Sequence, residues 1–287
     1  MEERRRTMEG VGPVTTAALL GATGNLGRAV AARLLDRGCN VVEIPRSEVM
    51  TASTQVLDVV VNCAGAGMDS MRPTASSDLL DANVVTALGA ARLAISSGAR
   101  LVHLGSAAEL ASRATQASAY VRSKRMASDA LSMLAETDGL TGFELLPHLV
   151  YGDPSPDAGG VIAAMIRSMS SREPFGLRTP HLRRDFVHRD DAARAVVAAA
   201  ETPTESWETI EIGTGSGHAL SEAAEIIGRL LGVDEPWRSD PNEGRTWNDD
   251  LVADPAPAVV RLDFRAAIDL DEGLQQLVHQ AIRGVLA

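Results

Sequence analysis

Short apolar runs of four to seven residues recur along the first half of the chain, separated by longer stretches with helical spacing. Residues 17–35, AALLGATGNLGRAVAARLL, predict a buried strand, a glycine turn and an amphipathic helix ending near Gly38. NVVEI, VLDVVVNCAG, ARLVHLGSA and FELLPHLVYG predict four more strands, with helices expected over 78–97 and 116–136. Strands alternating with helices imply an α/β fold with a doubly wound parallel sheet of Rossmann type. One strand-helix unit is expected to be truncated, because only PRSEVMTASTQ separates the second strand from the third. From Tyr151 the texture changes to DPSPDAGG, a helix near 161–170, loops rich in Pro and Arg, and a last helix near 271–285. The expected organisation is a disordered arm over 1–15, a first domain over 16–150 to which 185–203 returns, and a smaller domain over 151–287. No internal repeat interrupts this pattern.

Composition narrows the picture. The chain has 287 residues, 45% of them hydrophobic, which is enough to build a sizeable core. No apolar run reads as a membrane span, and the first residues read as no signal peptide, so a cytoplasmic protein is expected. The net charge of −11 disfavours nucleic acid or an anionic membrane surface as partner. Cys39 and Cys63 show neither CxxC nor Cys/His spacing and are expected to be core thiols, with no metal site.

GATGNLG sets glycines at 21, 24 and 27, with Thr23, Asn25 and Leu26 between them, directly after the first strand. Gly21 permits the tight turn, Gly24 lets a pyrophosphate approach the backbone, and Gly27 lets the helix pack on the strand, so the first domain is expected to bind a dinucleotide. The acidic residue that usually holds the adenosine ribose is missing from the end of the second strand, where Ile44-Pro45-Arg46-Ser47 stands. Arg46, with Ser47 and Arg28, suits a ribose phosphate instead, which favours NADP(H) over NAD(H). YVRSK holds the single lysine, Lys124, of a chain with 26 arginines, four residues after Tyr120. On a helix both project from one face, and a compact ammonium beside the phenol is expected to lower its pKa and to touch the cofactor ribose.

With these motifs the chain resembles the extended short-chain dehydrogenase/reductase superfamily, in particular its sugar-nucleotide branch of epimerases, dehydratases and ketoreductases. The resemblance also rests on NCAG at 62–65, DANVVTALGAA around Asn83, HLGSAAEL, LLPHLVYGDP, RRDFVHRDDAARAV and IEIGTGSGHALSEAAEII. It implies Tyr120 as proton donor or acceptor, Lys124 as its tuner and ribose anchor, and Ser106 as partner of the reacting oxygen. It further implies cofactor contacts at Cys63, Ala64, Gly65, Asn83 and Pro147, and a substrate diphosphate held by Arg184 and Arg245 in a C-terminal substrate-binding domain. His103 and His188 are expected to be structural. Relatives pair the helices over 83–97 and 116–136, whose faces here are rich in alanine, so a homodimer is expected.

Departures from the family pattern adjust these expectations. Ala107 and Ala108 stand where dehydratases place an Asp-Glu pair, with Glu109 alone and one position late, which disfavours dehydration. Ser106 and Tyr120 are only 14 residues apart, which points to an open pocket, and Leu146 replaces a frequent arginine. The expected function is an NADP(H)-dependent ketoreductase of a nucleotide-activated deoxysugar. The alternatives are an NAD-dependent sugar-nucleotide epimerase and an inactive NADP-sensing protein.

Overall fold

A computed structural model describes residues 14–52, 56–66, 75–111, 118–153, 155, 158–240 and 250–285. Residues 1–13 of the expected disordered arm lie outside these, whereas Thr15 is held in place: its amide and hydroxyl both donate to Asp58 Oδ2 at 2.8 Å. The main sheet has six parallel strands, β1 (Thr16–Leu20), β2 (Asn40–Ile44), β3 (Val59–Asn62), β4 (Arg100–Leu104), β5 (Gly142–Pro147) and β9 (Trp207–Ile212). They lie in the order β2-β1-β3-β4-β5-β9. The apolar runs Ala17–Leu20 of β1 and Val59–Val61 of β3 are buried on both faces, as a covered parallel sheet requires.

Helices cover both faces. Ala17, Leu19, Val59, Val61, Val102 and Phe143 point to one side, against α1 (Asn25–Asp36) and α5 (Arg189–Glu201). Ala18, Leu20, Val60 and Leu101 point to the other, against α2 (Ser76–Ser97) and α3 (Ala119–Thr137). Each fully buried Leu or Val here contributes about 1.5–3 kcal/mol. α2 has the length and apolar composition of a membrane-crossing helix, yet Ala87, Ala90, Ala91, Leu93 and Ala94 are packed within the sheet's core. The alanine faces of α2 and α3 therefore meet the sheet. On these two helices Leu80 and Val85 of α2, with Met126 and Met133 of α3, are large apolar residues left exposed.

The truncated unit is real. After β2 the chain makes one turn of 3-10 helix, Arg46–Glu48, and crosses back to β3 on the far side of β1, so β2 is the sheet's edge. At the opposite edge, β9 adds a strand that was not expected from the sequence.

The remaining described elements are β6 (Leu149–Tyr151), α4 (Val161–Ser170), β7 (Phe175–Leu177), β8 (Arg183–His188), β10 (Gly217–Ala219), α6 (Leu220–Leu231), β11 (Trp237–Ser239), α7 (Ala256–Leu262) and α8 (Leu270–Val285). Met165, Met169, Phe186, Ile227, Leu274 and Val278 centre a core among α4, α6 and α8. Asp185, fully buried on β8, ties distant segments together: it accepts from Thr214 N (2.9 Å), Thr214 Oγ1 (2.7 Å), Gly215 N (2.8 Å) and Ala253 N (3.3 Å). The carboxyl ends of β1, β3, β4 and β5 meet at one edge of the main sheet, where ligands bind in open α/β folds.

Candidate active site

The glycine turn joins β1 to α1. Gly21 adopts φ +78°, and a Cβ there would stand 2.6 Å from Ala64 N, so the β1 and β3 exits are packed backbone to backbone. At Gly27 a Cβ would fall 2.0 Å from Gly21 O, which sets α1 tightly on the turn. Gly24 is the N-cap of α1 and offers no side-chain cap, leaving the first-turn amides open to an anion. Arg28 donates to Thr23 O at 2.6 Å, and Asn25 Oδ1 accepts from Arg189 at 3.0 Å, so both side chains brace the turn.

Past β3, Cys63, Ala64 and Gly65 run beside α2 and α3. Asn62 Oδ1 accepts the Ala64 amide at 3.1 Å while its Nδ2 lies 3.0 Å from His103 Nδ1. Burial, with Lys124 adding to it, holds His103 well below the usual imidazole range, so it is neutral and structural. Asn83 lies in a π-helical stretch of α2, Leu80–Val85, where it accepts from Ala66 N at 2.9 Å and donates to Ser123 Oγ at 2.8 Å. A Cβ on Gly65 would lie 3.0 Å from Asn83 Oδ1 and 3.4 Å from Lys124 Nζ. Residues from three separate motifs thus share one wall.

Lys124 is buried and donates to Leu104 O at 2.8 Å. Burial pushes its pKa down, and Glu109, Glu144 and Cys63 oppose that shift. Ser106 caps the 3-10 turn Ala107–Leu110 after β4, and its hydroxyl lies near enough to the Tyr120 phenol to lower its pKa. Tyr120 and Lys124 do share one side of α3. The expected lowering of the phenol pKa is not found: burial pushes Tyr120 above its ordinary value and the Glu109 charge adds to the rise, while the nearby Ser106 hydroxyl lowers it only in part. Sequence spacing gave proximity but not desolvation.

Three polar residues behind this wall were missed as site residues. Glu109 Oε1 accepts the Ser106 amide at 2.7 Å, and Ser128 Oγ lies 2.5 Å from Glu109 Oε2 and 2.6 Å from Glu144 Oε1. Glu144 is 3% exposed in β5, and a charge in the middle of the apolar run FELLP was a visible signal of it.

Other expected residues lie further out. Arg46 and Ser47 are exposed after β2, and no side-chain bond holds either among the described residues. Pro147 ends β5, and Arg184 is buried on β8, donating to Arg183 O at 2.8 Å. Arg245 lies outside the described residues, as does 112–117 in the short connection to Tyr120. His188 caps α5 through the Asp190 amide at 3.2 Å. Cys39 is buried as expected, whereas Cys63 sits half-buried at the site, its thiol pushed up to about 12 by burial.

Comparison with known proteins agrees with this geometry. Residues 17–213 match the model of the NAD dependent epimerase/dehydratase family. A dTDP-6-deoxy-L-talose 4-dehydrogenase (NAD(P)(+)) of Kitasatospora kifunensis is 29% identical over 256 residues, 75% of this chain and 79% of that protein. The crystal structure of UDP-glucose 4-epimerase from Thermotoga maritima with UDP-glucose superimposes with a TM-score of 0.81 at 19% identity, over 95% of this chain and all of that one. The Thermus thermophilus UDP-glucose 4-epimerase in complex with NAD gives 0.75 at 19% identity, over 94% and 99% of the two chains.

Proposed function

Because the chain belongs to the NAD dependent epimerase/dehydratase family, and so is an enzyme of sugar-nucleotide chemistry, we propose that it is an NADP(H)-dependent ketoreductase of a nucleotide-activated keto deoxysugar. The observation that carries this reading is the convergence of Ser106, Tyr120 and the buried Lys124 beside Gly65, with burial holding the phenol in its protonated form. A tyrosine that keeps its proton is suited to give it to a developing alkoxide.

The residues present fit a nicotinamide dinucleotide. Its pyrophosphate would lie on the Gly24 amide surface at the start of α1, and its ribose near Asn83 and Lys124 beside Gly65; Cys63, Ala64 and Pro147 would border it. Bound there, it would supply the hydride. Ser106 and Tyr120 would donate to the sugar oxygen as charge builds on it, a pair that can lower the barrier by several kcal/mol. Lys124 would anchor the ribose and, once a substrate displaces water, steady the anion left on Tyr120 after proton transfer. Arg184 is proposed to hold the substrate diphosphate, with Arg245 beside it, and residues 151–287 to form most of the substrate-binding domain.

Arg46 supports NADP(H) over NAD(H): it is an exposed cation at the position where an acidic side chain would otherwise hold the ribose hydroxyls. The Kitasatospora kifunensis relative, named for a 4-dehydrogenase reaction with either cofactor, supports oxidoreduction at a keto carbon of a dTDP-deoxysugar. The exposed Leu80, Val85, Met126 and Met133 support a homodimer through the outer sides of α2 and α3; sedimentation as a monomer at micromolar concentration refutes it.

The test is to mix the purified protein with NADPH and dTDP- or UDP-linked 4-keto-6-deoxysugars and follow NADPH absorbance. Stoichiometric oxidation with formation of the reduced sugar supports the reading. Interconversion of sugar epimers with no net NADPH loss establishes the epimerase instead, and NADPH binding without any turnover establishes the sensor.

A further inference from the structure

We infer that Glu109, Ser128 and Glu144 form a proton-sharing unit that positions Ser106 and Lys124, with Glu109 as the carboxylate and Glu144 as the carboxylic acid. The inference rests on the catalytic roles proposed above for Ser106, Tyr120 and Lys124. It follows first from counting hydrogens. Ser128 Oγ has three oxygen neighbours, Glu109 Oε2 at 2.5 Å, Glu144 Oε1 at 2.6 Å and Lys124 O at 3.2 Å. A hydroxyl donates one hydrogen, and an ionised carboxylate donates none. With both glutamates ionised, one of the two short contacts would set oxygen against oxygen with no hydrogen between them. One added proton completes a chain in which one carboxyl donates to Ser128 and Ser128 donates to the other.

The surroundings say which carboxyl holds it. Glu109 accepts the Ser106 amide at 2.7 Å, and Arg125, through Nε at 2.8 Å, grips the same turn at Glu109 O. Among the described residues, apart from Ser128, Glu144 has only the distant Thr209 hydroxyl at 3.5 Å as a hydrogen-bond partner, and it is almost wholly buried. An ion is poorly served there. Burial, assisted by the Glu109 charge, accordingly pushes Glu144 up to about 7.

The unit lies directly behind Ser106 and Lys124. A Cβ on Gly105 would stand 2.9 Å from Glu109 Oε1 and 3.1 Å from Glu144 Oε1, so the pair backs directly onto the strand end that carries Ser106. The titratable and charged groups facing it are Lys124, Arg125 and Tyr120 from α3, with Cys63 of the β3 exit and the neutral His103 of β4 beside Lys124. With one shared proton, the buried Lys124 cation meets a single anion, and Arg125 adds a second cation at the outer side of Glu109. Loss of that proton sets two anions about one serine, breaks the chain that fixes Glu109, and draws the Lys124 ammonium away from the ribose toward the carboxylates.

Infrared titration of the full chain reads the proton without turnover. We expect wild-type protein to show a carboxylic-acid carbonyl band that is lost as pH rises through about 7, and Glu144→Gln to lack it. No such band in the wild type, or its persistence in Glu144→Gln, overturns the inference. The positioning role is read by calorimetry with NADPH: from about pH 6 to about pH 8 wild-type affinity should fall about fivefold relative to Glu144→Gln, because only the wild type ionises there. Parallel profiles refute it. The infrared result is independent of activity, so failure to reduce any keto sugar leaves this unit standing, and an absent band beside intact reduction removes the unit alone.

Discussion

Alanine at Gly24 distinguishes a phosphate-holding turn from an ordinary strand-helix turn. Gly24 has φ −70° and ψ 164°, a conformation open to any residue, and a Cβ there would have Gly21 O, at 3.2 Å, as its nearest neighbour. The tight contact opposes a gain of about 0.4–1 kcal/mol from a less flexible unfolded chain, so stability should change by less than about 1 kcal/mol. Cofactor binding should respond differently. The methyl group would stand where the pyrophosphate has to approach the amides, and one lost charge-assisted hydrogen bond at about 1.5–3 kcal/mol lowers NADPH affinity about 10- to 150-fold. Gly27→Ala is the contrasting case: its Cβ would sit 2.0 Å from Gly21 O, backbone against backbone, so α1 has to move and the fold should lose about 3 kcal/mol. Thermal denaturation and calorimetry with NADPH on both variants measure this. Gly24→Ala binding NADPH within about twofold of wild type, or unfolding as readily as Gly27→Ala, refutes the reasoning.

Tyr120→Phe should lower turnover about 100-fold or more with NADPH affinity little changed, whereas Lys124→Met should lose cofactor affinity and Lys124→Arg recover only part of it; calorimetry and steady-state kinetics separate the three. Arg46→Ala should cost about 1.5 kcal/mol in NADPH binding and little in NADH binding, and NADH binding the tighter in unmutated protein would reverse the cofactor assignment. For Glu144 the folded pKa of about 7 lies above its ordinary 4.5. The folded state therefore holds the extra proton, and stability is full below the ordinary value and lost as pH rises through about 7. The loss is about 3 kcal/mol at most, and urea unfolding of Glu144→Gln at low and neutral pH should show it removed.

Much of this architecture could be read from the chain because it depends on local pattern. The four-residue step from Tyr120 to Lys124 fixes a shared helix side, and the glycines of GATGNLG mark where backbones nearly touch. The missing unit after β2 was visible as a shortage of residues. What escaped depends on neighbours distant in sequence. β9, WETIEI, alternates apolar with polar residues as an edge strand does, but its Glu208 and Glu211 hid it among loops. The meeting of Glu109, Ser128 and Glu144 needs three elements to converge, and no spacing in the sequence encodes it. The direction of the Tyr120 shift was misjudged for the same reason: a cation four residues away is local information, while desolvation is set by the whole surrounding fold.

The Asp185 carboxylate holds together positions 29, 30 and 68 residues further along the chain, at Thr214, Gly215 and Ala253. A single buried acceptor closing loops of such different lengths makes them one cooperative unit, since freeing any one amide strands the carboxylate beside the others. In amide hydrogen exchange, the protons of Thr214, Gly215 and Ala253 should therefore leave with a common opening free energy although they belong to separate segments, and in Asp185→Asn they should exchange as independent loops.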